Sequence, residues 1–125
     1  MCVAAARTRR ARCVGIELRE AAALGAAAAV QAAGVSSLAT VVHGNALELD
    51  LSSATVVFLY LLPRGNARIA AKLLAELRPG TRVVCHMFRM HAEWEARLRD
   101  THAVQSCRAG GVDTSAFTKL FLYVT

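Results

Sequence analysis

Aromatic side chains are scarce in this sequence. They make up only 6% of its 125 residues, so alanine, valine and leucine must fill most of the core. Hydrophobic residues nevertheless reach 55%, which excludes a disordered chain. A chain of this length can bury one real core but not two. We therefore expect a single domain at residues 1–125.

Paired metal-binding cysteines are also absent. Cys2, Cys13, Cys85 and Cys107 form no Cys-x-x-Cys motif and match no zinc spacing. Cys13 and Cys85 lie in apolar, strand-like runs, which is typical of buried thiols. The cysteines predict a reduced, intracellular protein without a metal site.

No acidic residue precedes Glu17, although Arg7, Arg9, Arg10 and Arg12 supply much of the net charge of +6. Three interpretations of these arginines stay open: a solvated helix face, a mitochondrial targeting segment, or a nucleic-acid contact. No aromatic residues interleave them, so we expect no nucleic acid. We expect no secretory signal, because the opening has no long apolar core. The expected location is cytoplasmic or mitochondrial.

The run at residues 54–63 is apolar without alternation and rich in β-branched and aromatic residues. This pattern predicts a strand buried on both faces, ended by Pro63, and it is too short to span a membrane as a helix. Such a strand requires helices on both faces of a parallel α/β sheet. Ligands of these sheets bind beyond the carboxyl ends of the strands, here at residues 60–66.

The remaining segments alternate between strand and helix patterns. We expect helices at 1–12, 19–33 and 66–77, strands at 13–18, 38–43, 81–88, 103–108 and 118–125, a short helix at 97–100 and a turn at 109–115. The two final strands predict a hairpin that adds one antiparallel strand at the edge of the sheet.

Two polar residues follow strands where nucleotide-binding sheets hold their ligands. Glu17 ends a strand before a helix, and its carboxylate suits a ribose diol, although many such acids only cap the helix. Asn45 lies in the turn at residues 44–46, and its carbonyl suits an adenine amino group, although an ordinary Asn turn explains it alone. Either residue by itself is a weak signal.

Together, in this order and spacing, the segments resemble the class I S-adenosylmethionine-dependent methyltransferases. Val-Gly-Ile-Glu at 14–17 looks like the second motif and His-Gly-Asn-Ala at 43–46 like the third. Residues 50–63 look like the fourth motif and residues 77–86 like the fifth strand with its entry. The Leu-Tyr-Leu-Leu-Pro run and Arg-Pro-Gly-Thr-Arg-Val-Val are closest to the protein-lysine methyltransferase branch, which includes enzymes acting on the ATP synthase c subunit.

The resemblance implies a Rossmann-like sheet, S-adenosyl-L-methionine as cofactor and a protein lysine as acceptor. It assigns Glu17 to the ribose and Asn45 with Ala46 to the adenine. Tyr60 and Pro63 would form the mouth of the acceptor site, although burial of Tyr60 beside the sheet stays open as an alternative. No residue is an obvious general base.

Two departures from the family pattern stand out. Asn45 replaces the usual aspartate, so its contact with the adenine carries no charge. The glycine-rich first motif is missing, and residues 1–12 look like the end of the first helix. We therefore expect a domain without its first strand, an incomplete cofactor site, and unpaired inner edges on the strands at 13–18 and 54–62.

Other interpretations remain. A non-catalytic fragment or interaction subunit that retains the fold is the alternative function, and the motif order disfavours a dehydrogenase. His86, His91 and His102 match no metal motif and are weak candidates for bases. Phe88 and Trp94 suit either a substrate wall or the core.

Overall fold

The structure is a computed structural model that describes the backbone of residues 1–108 and 111–125 and the side chains of residues 1–104 and 118–125. Helices and strands alternate along most of these residues. The elements are α1 (Cys2–Arg9), β1 (Cys13–Glu17), α2 (Glu20–Ala32), β2 (Ala39–His43), β3 (Val56–Leu59), α3 (Pro63–Glu76), β4 (Arg82–His86), a 3₁₀ helix (Ala92–Arg97), β5 (Leu98–Arg108) and β6 (Gly111–Val124). The predicted alternation of strand and helix is confirmed up to β4 except between β2 and β3, which follow each other without a helix.

The chain divides into two compact units, residues 1–49 and residues 50–125. In the first unit, β1 and β2 run parallel, and α1 and α2 pack against them. The alanine-rich sequence of α2 favours helix, and Gly34 follows its end with a φ of 67°, as expected for a helix-ending glycine. Small aliphatic side chains form the buried cluster of this unit, as the composition predicts: Ala6, Val30, Val35 and Ala39.

The second unit contains a four-stranded sheet in the order β3-β4-β6-β5. β3 and β4 are parallel, whereas β6 is antiparallel to both of its neighbours. The predicted hairpin of the last two strands is therefore confirmed. Its predicted placement is wrong, because the antiparallel strand β6 lies inside the sheet and β5 forms the edge.

The strand predicted at residues 54–62 is shorter than expected and is not buried on both faces. β3 covers only Val56–Leu59, and Val56 is 47% exposed. Within the described residues β3 pairs only with β4, and β1 only with β2, so each strand has one unpaired edge. Exposure of this apolar segment follows from the lack of a neighbour on that edge.

The core of the second unit contains two of the rare aromatic residues. Trp94 and Tyr123 are fully buried, with ring centroids 6.0 Å apart in an edge-to-face arrangement. The Trp94 Nε1–H donates to the carbonyl of Ala70 at 3.2 Å, and the Met90 N–H donates to the Tyr123 hydroxyl at 3.1 Å. Burial raises the pKa of Tyr123. Trp94 therefore belongs to the core and does not wall a substrate pocket.

Several predicted boundaries need correction. The helix begins at Pro63, not at residue 66, because proline suits the first helical turn, where its missing N–H costs nothing. The short helix predicted at 97–100 is wrong, since β5 begins at Leu98. The turn predicted at 109–115 is wrong for residues 111–115, which belong to β6, and residues 109–110 lie outside the described residues.

The described part of the chain contains no helix long and apolar enough to cross a membrane, and no group of three metal-ligating side chains. Cys2, Cys13 and Cys85 are free thiols. Burial raises the pKa of Cys85 to about 12, so this thiol is inert at neutral pH. The side chain of Cys107 lies outside the described residues.

We predict that Trp94→Ala lowers the free energy of unfolding by about 3–5 kcal/mol, because it removes a buried indole and leaves a cavity. Urea unfolding followed by circular dichroism measures this change. Tyr60→Ala is the matched control, because its exposed ring should contribute little to stability. Equal losses in the two variants would contradict this view of the core.

Candidate functional site

The carboxyl ends of β1 and β2 bring two of the predicted site segments together. Glu17 pairs with His43 as the last residues of the two parallel strands. The next residue, Gly44, donates its backbone N–H to the carbonyl of Glu17 at 3.0 Å. The turn that carries Asn45 and Ala46 therefore begins beside Glu17, as the sequence predicts.

The carboxylate of Glu17 is held by the start of the following helix. Its Oε1 accepts from the backbone N–H of Arg19 at 3.0 Å and from Arg19 Nε at 3.4 Å. The backbone hydrogen bond is the main reason why the pKa of Glu17 is lowered. Within the described residues Oε2 has no partner, and the side chain is 36% exposed. An ionised carboxylate with one oxygen available fits a ribose diol, so the hydrogen bonds to Arg19 are compatible with ligand binding.

Asn45 is fixed by its own turn. Its Oδ1 accepts from the Leu47 N–H at 3.0 Å, and its Nδ2 donates to Glu48 Oε1 at 2.8 Å. The amide orientation is set by these contacts, and the carbonyl oxygen keeps a second lone pair. The backbone N–H of Ala46 has no hydrogen-bond partner in the part of the chain described. The acceptor Asn45 Oδ1 and the donor N–H of Ala46 together match the adenine edge, which presents an amino donor beside a ring nitrogen acceptor.

The other predicted site residues lie in the second unit, after β3. Tyr60 directly follows this strand and is 71% exposed, and the exposed Pro63 opens α3. The Tyr60 ring meets the ring of His86, the last residue of β4, with centroids 4.6 Å apart and an interplanar angle of 83°. The parallel pairing of β3 and β4 places these two strand ends side by side.

Asn66 supports this second group, although it is not among the site residues predicted from the sequence. Its side chain is 1% exposed, and Nδ2 donates to the carbonyl oxygens of Phe88 at 3.2 Å and Arg89 at 3.0 Å. It thereby fixes the first turn of α3 against the segment that follows β4. A signal was present: Asn66 falls on the same helical face as Ile69 and Leu73, where a polar residue needs a specific partner.

Comparison with known proteins decides the family. The model of a family described as ANTKMT methyltransferase domain matches residues 1–97. This chain belongs to that family. The matched residues contain all the residues assigned above to the cofactor and acceptor sites: Glu17, Asn45, Ala46, Tyr60 and Pro63. The predicted resemblance to class I methyltransferases is confirmed, whereas the roles of the individual residues stay predictions.

Two relatives of this methyltransferase-family chain are named for different methyl acceptors, a protein lysine and RNA. A protein-lysine N-methyltransferase from Saccharolobus islandicus (strain REY15A) is 43% identical over 77 residues, 62% of this chain and 48% of that protein. An RNA methyltransferase from Salinibacter ruber, solved with S-adenosyl-L-homocysteine, is 32% identical with a TM-score of 0.82, covering 98% of this chain and 71% of its own. The chain spans about half the length of the curated relative that it matches.

A more distant structure supports the fold alone. A putative O-methyltransferase from Klebsiella pneumoniae is 20% identical with a TM-score of 0.62, covering 90% of this chain and 61% of its own. The predicted Rossmann-like methyltransferase fold is therefore confirmed.

We predict that Arg19→Ala leaves the pKa of Glu17 below that of an ordinary glutamate, because the backbone N–H of residue 19 is the main cause of the lowering and survives the change. A carbon-detected NMR titration of the Glu17 carboxyl measures this. Since the folded pKa is lowered, the stabilisation is present at neutral pH and is lost as the pH falls through the folded pKa. An ordinary pKa in the variant would contradict the assignment.

Proposed function

We propose that the domain containing this chain transfers a methyl group from S-adenosyl-L-methionine to a lysine of a protein substrate. One observation carries the proposal most directly. The family match spans residues 1–97, and within it Glu17 and the turn at Asn45 meet at paired strand ends. The protein-lysine N-methyltransferase relative supports lysine as the acceptor.

In this proposal the first unit binds the adenosine part of the cofactor. Glu17 Oε2 accepts from the ribose hydroxyls, while Oε1 stays engaged with Arg19. The lowered pKa keeps the carboxylate ionised, which strengthens these hydrogen bonds. Asn45 Oδ1 and the Ala46 N–H contact the adenine edge.

The second unit positions the acceptor. When bound, S-adenosylmethionine supplies an electrophilic methyl group, so the protein mainly has to bind and orient the partners. Tyr60 and Pro63 form the mouth through which the acceptor side chain enters. A lysine ammonium must lose a proton before its nitrogen becomes nucleophilic, and the exposure of Tyr60 gives this proton a route to water.

Two alternatives each have a supporting observation. The structural relative from Salinibacter ruber is named an RNA methyltransferase, which favours RNA as an acceptor. An interaction subunit that retains the fold is favoured by the unpaired edges of β1 and β3 in the described residues, which carry the exposed side chains of Val14 and Val56.

Labelling of a cell lysate discriminates among these functions. The protein is incubated with lysate and tritiated S-adenosylmethionine, and samples are then treated with ribonuclease or hydrolysed to amino acids. We expect ribonuclease-resistant label that is recovered as methyl-lysine. Ribonuclease-sensitive label would indicate RNA, and no label would favour the interaction subunit.

We predict that Glu17→Ala weakens S-adenosylhomocysteine binding by about 10- to 100-fold, the effect of losing hydrogen bonds to a charged group. Isothermal titration calorimetry measures the affinity. Glu20→Ala is the matched control, because Glu20 lies in the first turn of α2 without a role in the proposed site. Unchanged affinity in Glu17→Ala would remove Glu17 from the site.

We predict that Asn45→Asp alone gains little affinity, although it restores the residue usual in the family. The new carboxylate loses the donor that bonds Glu48 and faces the Glu48 carboxylate instead. Adding Glu48→Gln removes this repulsion, so the double variant should bind S-adenosylhomocysteine more tightly than either single variant. Weaker binding by the double variant than by Glu48→Gln would contradict the adenine assignment.

A further inference from the structure

His86 stands out because the proposed function gives it no role, although it ends β4 beside Tyr60. Its Nε2 lies 2.7 Å from Thr118 Oγ1 on the neighbouring strand β6. The Thr118 hydroxyl also lies 3.0 Å from Met87 Sδ, so it contacts both residues at the end of β4. The hydrogen bond to Thr118 fixes the orientation of the imidazole.

The second ring nitrogen of His86 is left without a partner. Nδ1 is buried and makes no hydrogen bond within the described residues. Buried from solvent, Nδ1 is also poorly placed to take a proton from a substrate, which disfavours a role as general base.

Met87, the next residue, helps to hold His86 at the end of β4. Met87 has a positive φ of 69°, which is uncommon for a residue with a side chain. Its backbone N–H donates to the carbonyl of Lys119 at 2.7 Å. This sharp bend ends β4 at His86 and brings the Met87 sulfur to Thr118. Such conformations persist only where neighbouring contacts hold them, and they are concentrated at functional sites.

The imidazole of His86 also contacts the ring of Tyr60. The two rings are edge-to-face at 4.6 Å, whereas Phe58 lies farther away at 6.3 Å and is tilted by 38°. Tyr60 is mostly exposed, so few other contacts restrict its ring. An exposed aromatic ring must lose rotamer freedom when a substrate packs against it, and a ring ordered in advance lowers that cost.

We propose that His86, anchored by Thr118, is a positioning residue that holds the Tyr60 ring ready for the methyl acceptor. This inference rests on the proposed function, because it assumes that Tyr60 lines the acceptor site. His86 acts through Tyr60 and does not touch the reacting atoms. It should therefore affect the rate of methyl transfer without affecting cofactor affinity.

The contact itself is tested by NMR, independently of activity. In the full chain we expect nuclear Overhauser contacts between the Tyr60 and His86 ring protons. Thr118→Val, which keeps the shape and removes the hydroxyl, should weaken them, and Thr118→Ser should preserve them. Unchanged contacts in Thr118→Val would overturn the role of Thr118 as anchor.

The role is tested by the initial rate of methyl-lysine formation in the protein fraction of a cell lysate. We expect His86→Leu to reduce this rate by about tenfold, while the affinity for S-adenosylhomocysteine changes by less than about twofold. In a Tyr60→Leu background, His86→Leu should cause no further loss, because its effect passes through Tyr60. The matched control is His91→Leu, an exposed histidine whose loss should leave the rate unchanged.

The possible results separate this inference from the function on which it rests. A further loss from His86→Leu in the Tyr60→Leu background, or an equal loss in cofactor affinity, would overturn the positioning role alone. A wild-type protein that forms no methyl-lysine would overturn the proposed function together with this inference. If His86→Leu does not fold, Thr118→Val replaces it, with Thr118→Ser as the variant expected to restore the rate.

Discussion

Parallel strand pairing is the constraint on which both candidate groups depend. Strands that run side by side in the same direction end at the same edge of a sheet, so the residues after them become neighbours. In the first unit this pairing places Glu17 next to the turn at Asn45. In the second unit it places Tyr60 next to His86. A slip of one residue in either register would turn these side chains to the opposite face.

Much of the fold could be predicted from local patterns, because helix propensity and apolar runs act over short distances. The strands at β1, β2 and β4 and the helix α2 lie close to their predicted positions. Burial of β3 could not be predicted, because it depends on which strands lie beside it. The position of β6 inside its sheet likewise depends on pairing between distant segments. The sequence could not distinguish a Trp94 buried in the core from a Trp94 that lines a pocket, since both environments are apolar.

The candidate site was predictable where a polar residue lies at the end of a predicted strand, as Glu17 does, because ligands bind at the carboxyl ends of such strands. The sequence did not show that Glu17 bonds the start of α2 while one oxygen stays available. It also did not show that Glu48 accepts the hydrogen bond of the Asn45 side-chain amide. The contacts of His86 and Asn66 join segments more than twenty residues apart, and no local pattern encodes such pairs.

The location of the cofactor site is the central claim, and amide chemical-shift mapping tests it most directly. S-adenosylhomocysteine is titrated into the isotope-labelled full chain, at concentrations high enough to detect weak binding. The account predicts that the largest shifts fall on Glu17, Gly44 and Ala46, because these residues surround the proposed adenosine contacts. Shifts confined to residues 53–55 and 78–81, which line a separate depression at the opposite ends of β3 and β4, would contradict it.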